Sequence, residues 1–201
     1  MAKQLLMART ARQQGIIESA RRIIAYKGIE SLTVREIAKD LKITEGALYR
    51  HFKSKKEIIS LLIDDIEETL LTAIKEVAGT HKNPLQKLEG IFFSQLSYSQ
   101  QMKATSFIII NQVSGIKDKG LQRKMFSVLN KYLKTIKGII IEGIELKVIR
   151  KEINPDAASI VFLGTIQSII TLWGLSGYKL SLKGHQFTQA LNICKNWMAL
   201  K

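Results

Sequence analysis

The stretch 33–57 constrains the fold more than any other part of the chain, because it contains three closely spaced helix starts. Thr33 with Glu36, and Ser54 with Glu57, have the spacing of a capping box. In that motif the hydroxyl accepts a bond from an orphan backbone amide and the acid reaches back. Between them, Thr44 is an N-cap candidate without the reciprocal acid. Helix starts this close together predict two short helices followed by a longer one.

The two short helices have the pattern of a helix-turn-helix unit. Apolar residues fall on one face of each predicted helix, namely Val34, Ile37, Ala38 and Leu41 on the first and Leu48 and Phe52 on the second. The opposite face of the second helix carries no acid and presents Gly46, Tyr49, Arg50 and Lys53. A tight connection and a basic outer face are typical of a helix-turn-helix, whose second helix enters the major groove of DNA.

The net charge of +14 indicates an anionic partner, either nucleic acid or an anionic membrane surface. Within residues 42–56, five Lys and Arg side chains stand against the single acid Glu45. Basic runs are usually solvated surface, but this one coincides with the outer face of the predicted helix-turn-helix, which favours DNA contact. Residues 157–178 are uncharged and long enough to span a bilayer. Their polar side chains and glycines favour a buried soluble helix, so no membrane partner is expected.

The same stretch contains two spaced runs, Leu32-Thr33-x-x-x-Ile37-Ala38 and Ile43-Thr44-x-Gly46-x-Leu48-Tyr49-x-His51-Phe52-x-x-Lys55-x-x-Ile58. These runs resemble the DNA-binding signature of the TetR/AcrR family of bacterial transcriptional regulators. The family often has Ala-Gly in the turn, where this chain has Leu41-Lys42. Lys42 is therefore expected in the left-handed conformation, at a cost of roughly 1 kcal/mol.

Helical periodicity continues along the chain without a competing strand pattern, so the sequence predicts an all-α fold of about nine helices. Asn83-Pro84 and Asn154-Pro155 each read as an N-cap followed by proline at the first helical position. The family resemblance implies an N-terminal three-helix helix-turn-helix DNA-binding domain, placed at residues 1–55. It also implies a C-terminal helical ligand-binding and dimerisation domain, placed at residues 56–201. The predicted fourth helix leaves no flexible linker between the two.

The resemblance also implies which residues contact DNA. They are Thr33, Thr44, Glu45, Gly46, Ala47, Tyr49, Arg50, His51, Lys53 and Lys55. Phosphate contacts are expected from Tyr49, His51 and Lys55, whereas base edges are expected to meet Thr44, Glu45, Ala47 and Arg50. In the family the last two long helices pair with their symmetry mates as a four-helix bundle. A homodimer interface is therefore expected at Gly164, Ser168, Leu175 and Trp197.

The second half of the chain has the composition of a binding chamber. Within residues 90–116 the one charged residue is Lys103, among apolar side chains and a few amides, as a largely hydrophobic ligand requires. An ordinary helical core explains each of these residues individually as well. With the family resemblance, the residues expected to line a pocket are Phe92, Tyr98, Met102, Phe107, Asn111, Met125, Phe126 and Gln167.

No catalytic constellation is visible in the sequence. His51, His81 and His185 are far apart and lack metal-ligand spacing, so no metal or cofactor is expected. Cys194 lies on an apolar helical stripe, where a core thiol is expected, and one cysteine excludes an intramolecular disulfide and fits a reducing cytoplasm.

The sequence therefore predicts a cytoplasmic, homodimeric DNA-binding transcriptional regulator that is not an enzyme. It is expected to be a repressor that a small, largely apolar effector releases from a palindromic double-stranded DNA operator. The alternative is a helical carrier or sensor of apolar molecules without DNA-binding activity.

Overall fold

The computed structural model describes residues 11–50, 52–182 and 184–200, and these ranges contain nine α-helices joined by short loops. The helices are α1 (Ala11–Lys27), α2 (Val34–Asp40), α3 (Glu45–Tyr49), α4 (Lys55–Thr80), α5 (Pro84–Gln101), α6 (Thr105–Val113), α7 (Lys119–Glu145), α8 (Pro155–Leu175) and α9 (His185–Met198). A single 3₁₀ turn, Ile29–Ser31, connects α1 to α2. The predicted all-α class is confirmed.

Five helices begin at the N-caps that the sequence predicts, which are Thr33, Thr44, Ser54, Asn83 and Asn154. Each cap oxygen accepts a backbone N–H from the first helical turn. The two acids of the predicted capping boxes bond elsewhere. The Glu36 carboxylate accepts from Lys27 Nζ at 2.5 Å, and the Glu57 carboxylate accepts from Lys53 N at 2.8 Å, one residue before the predicted donor.

The starts of α6 and α7 are set by the residues that directly precede them. Lys103 and Ala104 both adopt the left-handed conformation, with φ 46 and 57, and α6 begins only after them. The Asp118 carboxylate accepts the N–H groups of Gly120 and Leu121 and starts α7 at Lys119. In both places a local turn decides the boundary.

The hydrophobic core of the N-terminal helices continues beyond the predicted DNA-binding unit. It joins α1, α2 and α3 to α4 as far as Leu70. It also takes in Ile109, Ile110 and Val113 from α6, and Met125 from the first half of α7. Packing is therefore continuous across residues 55 and 56, and the division into residues 1–55 and 56–201 stays a sequence-based prediction.

A second core joins the far end of α4 to α5, α7, α8 and α9, with Phe92, Tyr132 and Phe162 fully buried in it. Close approach is visible at Gly143, where an added Cβ would lie 2.5 Å from Ile149 Cδ1. Ile149 in turn forms an isolated antiparallel bridge with Ala199, which ties the end of α9 to the loop before α8.

Judged only by its length and composition, α8 could cross a membrane. In the structure, 39% of its most apolar 18-residue segment is buried inside the chain. α8 packs there against α7 and α9. Cys194 of α9 is buried as predicted, with Sγ 3.3 Å from Thr165 Oγ1 of α8. The remaining face of α8 is open to solvent in the single chain.

Candidate DNA-binding and effector sites

The connection between α2 and α3 has the geometry of a helix-turn-helix. Lys42 lies at φ 54, which confirms the predicted left-handed turn residue. The N–H of Ile43 donates to Ala38 O at 2.9 Å and closes the end of α2. Ile37 and Leu48 are fully buried and fix the two helices in the N-terminal core. The orientation of α3 is thus set by packing on the inner side.

The outer side of α3 is open. The residues exposed there are Thr44, Glu45, Gly46, Tyr49 and Arg50, and Ala47 is half-buried. An added Cβ at Gly46 would meet nothing within 4 Å. The fold itself therefore does not require a glycine in α3. Its small size would matter to a partner that approaches this face closely.

The remaining predicted DNA contacts flank α3. Thr33 is exposed at the start of α2 and caps that helix, and Lys53 is exposed between α3 and α4. Lys55 is half-buried, and its Nζ donates to Ile29 O at 3.0 Å. This bond ties the first turn of α4 to the turn after α1, so Lys55 has a structural role besides any contact with phosphate. His51 lies outside the described residues.

Two ion pairs hold α2 against α1 beside this basic face. Arg22 bonds Asp40 at 2.7 Å, and Lys27 bonds Glu36 at 2.5 Å. The hydrogen bond from Arg22 lowers the pKa of Asp40, and the hydrogen bond from Lys27 lowers the pKa of Glu36. Both acids are thereby kept ionised but neutralised by a partner.

The residues expected to line a pocket do not form one chamber. Phe107 and Asn111 line a cleft of about 300 Å³ between α6 and α8, together with Ile170 and Tyr178. Met102 lines a separate cleft of about 390 Å³ between α1 and the turn from α5 to α6. The first cleft is mainly apolar and the second is lined by several charged side chains.

The other expected pocket residues are divided between core and surface. Phe92 and Met125 are buried, but in different hydrophobic cores. Tyr98 and Gln167 are half-buried. Phe126 is 65% exposed, because its neighbour Met125 occupies the buried stripe of α7 and successive helical side chains diverge. The structure leaves Phe126 out of the interior, contrary to expectation.

A buried ion pair at the junction of α1, α4 and α6 has no counterpart in the sequence predictions. Arg21 Nε donates to Asp65 Oδ2 at 3.1 Å, and Arg21 Nη1 donates to Ser106 Oγ at 3.1 Å. The sequence did contain a sign that Arg21 is buried, since Arg21 follows Ile17 by four residues and precedes Ile24 by three. It therefore interrupts the apolar stripe of α1, which is unusual for a solvated arginine.

A second buried polar group was also missed. The Tyr132 hydroxyl of α7 donates to Gln95 Oε1 of α5 at 3.3 Å, deep in the C-terminal core. Burial raises the pKa of the Tyr132 phenol, so it stays protonated and can only act as a neutral donor or acceptor. Helical periodicity places both residues on buried faces, but it does not show that the two faces meet.

α8 and α9 leave an apolar surface uncovered in the single chain. Its large exposed side chains are Ile160, Val161, Leu172, Leu175, Ile193, Trp197 and Leu200. Leu175 is 81% exposed, and Gly164 and Ser168 lie on the same helical stripe of α8. An added Cβ at Gly164 meets nothing within 4 Å. The four residues predicted for the dimer interface thus lie where another surface can reach them.

Comparison with known proteins matches both parts of the chain. The sequence of HTH-type transcriptional repressor KstR2 from Mycolicibacterium smegmatis is 28% identical over 108 residues, which cover 54% of this chain and 53% of KstR2. The match thus spans about half the length of that relative. The fatty acid metabolism regulator protein of Bacillus subtilis is 29% identical over 171 residues, which cover 83% of this chain and 86% of the relative.

The fold is shared with solved structures. FadR from Bacillus subtilis, in complex with stearoyl-CoA, superposes with a TM-score of 0.79 at 22% identity, over 92% of this chain and 98% of FadR. The sequence model for bacterial regulatory proteins of the tetR family matches residues 16–62, and the model for the C-terminal region of YsiA-like protein matches residues 55–192. With both halves matched and the helix-turn-helix in place, the chain belongs to the tetR family of bacterial regulatory proteins.

Proposed function

We propose that this chain is a cytoplasmic, dimeric transcriptional repressor that binds a palindromic operator through α3 and is released by a largely apolar effector of the acyl-CoA class. The observation that carries the DNA-binding part is the outer face of α3. It is exposed, basic at its C-terminal end and held by a buried inner face. A glycine that the fold does not require lies at its centre.

Dimerisation is supported by the uncovered apolar surface of α8 and α9. A contiguous apolar patch on a soluble chain marks an interaction surface. Pairing with a second copy about a two-fold axis covers the patch on both subunits at once. The two α3 helices must then enter successive major grooves about 34–36 Å apart, which matches a palindromic site.

The effector class is supported by the relatives and by the composition of the interior. The relative that aligns over 83% of this chain is a fatty acid metabolism regulator, and a structural neighbour is complexed with stearoyl-CoA. The C-terminal core of this chain is built almost wholly from aliphatic and aromatic side chains. Such an interior suits a fatty acyl chain, provided that helices around it separate.

Two connections would carry the effector signal to α3. α4 runs unbroken from Lys55 beside α3 to Thr80, and near its end it contributes Ile74 to the C-terminal core. α6 provides a second connection, because Ser106 bonds Arg21 of α1. We infer that acyl chain insertion displaces α4 and α6 together and changes the separation of the two α3 helices in the dimer.

Two ion pairs join the first half of α4 to α7 and its N-cap residue. Lys56 pairs with Asp118 at 2.8 Å and Lys124 pairs with Asp64 at 2.7 Å. Both pairs are partly open to solvent, and such pairs contribute little to stability, so together they bias the position of α4 without locking it. A displacement that an effector drives can break or exchange them.

The experiment is an electrophoretic mobility shift with the DNA upstream of its own gene, at several salt concentrations. Arg50→Ala should lower affinity by about 1–3 kcal/mol and relax the preference at one base position. Lys53→Ala should weaken binding to all DNA sequences alike. It should also reduce by about one the slope of log affinity against log salt concentration. Lys53 is a cleaner choice than Lys55, whose Nζ also bonds Ile29 O.

Lys179→Ala is the matched control, since it removes an exposed cation in the loop after α8. It should leave affinity and salt slope close to those of the wild type. Equal selectivity of Arg50→Ala and wild type in a binding-site selection would contradict the base-reading role. A chain that binds acyl-CoA but no operator would instead be the helical carrier.

A further inference from the structure

The C-terminal core contains a small polar cluster, which we define as Gln95 and Ser99 of α5 and Tyr132 of α7. Their exposed fractions are 3%, 0% and 1%. Gln95 and Ser99 are four residues apart, so they lie on one face of α5. The Tyr132 hydroxyl donates to Gln95 Oε1 across the helix interface. Phe92 lies on the same face of α5 and belongs to the hydrophobic C-terminal core, so the surroundings of the cluster are apolar.

Two atoms of this cluster are unpaired. Within the part of the chain that the structure describes, Gln95 Nε2 and Ser99 Oγ have no hydrogen-bond partner. A buried polar atom without a partner carries a desolvation penalty that an aliphatic side chain of similar size avoids. Leucine and alanine at these two positions would pack at no such cost. Stability of the folded chain therefore does not explain the cluster.

We propose that the polar cluster binds the thioester carbonyl of an acyl-CoA effector, an inference that rests on the function proposed above. Gln95 Nε2 supplies two N–H donors and Ser99 Oγ supplies one O–H donor, so the ligand must provide an acceptor. Tyr132 bonds the oxygen of the Gln95 amide and thereby leaves Nε2 as the available donor. The acyl chain beyond the carbonyl lies among the apolar side chains of the C-terminal core.

The cluster is built for a neutral acceptor rather than a carboxylate. Among the described residues, the buried charged side chains are Arg21 and Asp65, and these bond each other. A fatty acid carboxylate at the cluster would be a buried charge without a cation, which is strongly unfavourable. A thioester carbonyl carries no charge. The cluster therefore selects the thioester over the free acid.

The position of the cluster also connects it to the DNA-binding unit. Ser99 O accepts from Ala104 N at 2.8 Å, and this bond closes the turn in which Lys103 and Ala104 are both left-handed. α6 begins directly after this turn, and its second residue, Ser106, bonds Arg21 of α1. A ligand that engages Ser99 therefore acts on the turn that positions α6.

The experiment uses calorimetry on the full chain with three probes, each kept below its micelle concentration. They are stearoyl-CoA, the stearoyl thioester of N-acetylcysteamine and free stearate. The wild type should bind both thioesters and bind stearate at least tenfold more weakly. The thioester without the nucleotide separates recognition of the carbonyl from any contact with coenzyme A.

Gln95→Leu and Ser99→Ala should each raise the dissociation constant of both thioesters by roughly tenfold. Their melting temperatures without ligand should equal or exceed that of the wild type, because an unpaired buried atom has been removed. The matched control is Ser159→Ala. Ser159 is also buried, but its Oγ donates to Asp156 O at 2.8 Å within α8. This variant should leave thioester affinity unchanged.

Each outcome decides the inference. Variants that bind both thioesters like the wild type would overturn it and leave the proposed function intact. A wild type that binds stearate as tightly as the thioesters would also overturn it. Lower melting temperatures for Gln95→Leu and Ser99→Ala without loss of affinity would assign the cluster a structural role. If the wild type binds none of the three probes, the proposed acyl-CoA class of effector is also refuted. The proposed binding to operator DNA would be unaffected, because the mobility shift tests it separately.

Discussion

Removing one partner of the buried ion pair between α1 and α4 should destabilise this chain more than any surface substitution. In Asp65→Ala, the Arg21 guanidinium would remain between α1, α4 and α6 with Ser106 as a partner but without the Asp65 carboxylate. The Arg21 and Asp65 side chains are only 9% and 11% exposed, so solvent compensates poorly for the lost carboxylate.

The expected cost follows from that burial. An unpaired buried charge of this kind costs about 3–5 kcal/mol. In a chain of this size 1 kcal/mol shifts the melting temperature by roughly 2–4 °C, so a fall of roughly 6–20 °C is expected. The double substitution Arg21→Met with Asp65→Leu should recover most of this loss, because both charges are replaced by apolar side chains of similar length.

Urea and thermal unfolding, followed by circular dichroism at a fixed protomer concentration, measure these differences. Asp64→Ala is the matched control. Asp64 is adjacent, its side chain is 50% exposed, and its loss should cost about 1 kcal/mol or less. The reasoning would be refuted if Asp65→Ala cost no more than Asp64→Ala. It would also fail if the double variant were as unstable as the sum of its single substitutions.

Three further predictions concern packing, assembly and pH. Gly143→Ala should cost about 1–3 kcal/mol in urea unfolding, since the new Cβ would lie 2.5 Å from Ile149 Cδ1; equal stability would contradict the close approach. Leu175→Lys should convert a micromolar dimer into monomer in sedimentation with unchanged helical content; a wild-type monomer would contradict the dimer. The hydrogen bond from Arg22 lowers the pKa of Asp40 in the folded state, so its contribution is present above the unfolded pKa and is lost as pH falls through the folded value. Asp40→Asn should therefore reduce the acid dependence of unfolding below about pH 4, and an unchanged profile would contradict this.

The sequence predicts much of this fold because its strongest signals are local. An N-cap such as Thr44 or Asn154 needs only its own hydroxyl or amide and the next few backbone N–H groups, so pattern and structure agree. The start of α6 was not predictable in this way. Lys103 and Ala104 adopt left-handed conformations that neither residue type signals.

The DNA-binding face could be predicted from local sequence, whereas the contacts of the interior could not. The outer face of α3 lies within one short run, so its exposed residues follow from helical periodicity. The interior depends on which helices meet. Gln95 and Tyr132 are 37 residues apart, and nothing local shows that their side chains bond. Phe126 was misplaced for the same reason, since apolar character alone did not reveal which face of α7 is buried.

Calorimetric titration of stearoyl-CoA into the protein, with and without operator DNA, tests the central claim most directly. If the effector releases the repressor, the two ligands prefer different arrangements of α3 in the dimer, and the coupling must be reciprocal. We predict that operator DNA weakens stearoyl-CoA binding by about 5- to 150-fold, and that stearoyl-CoA weakens operator binding by the same factor. Equal affinities for stearoyl-CoA in the two titrations would contradict the account, because a ligand that binds both states equally cannot release DNA.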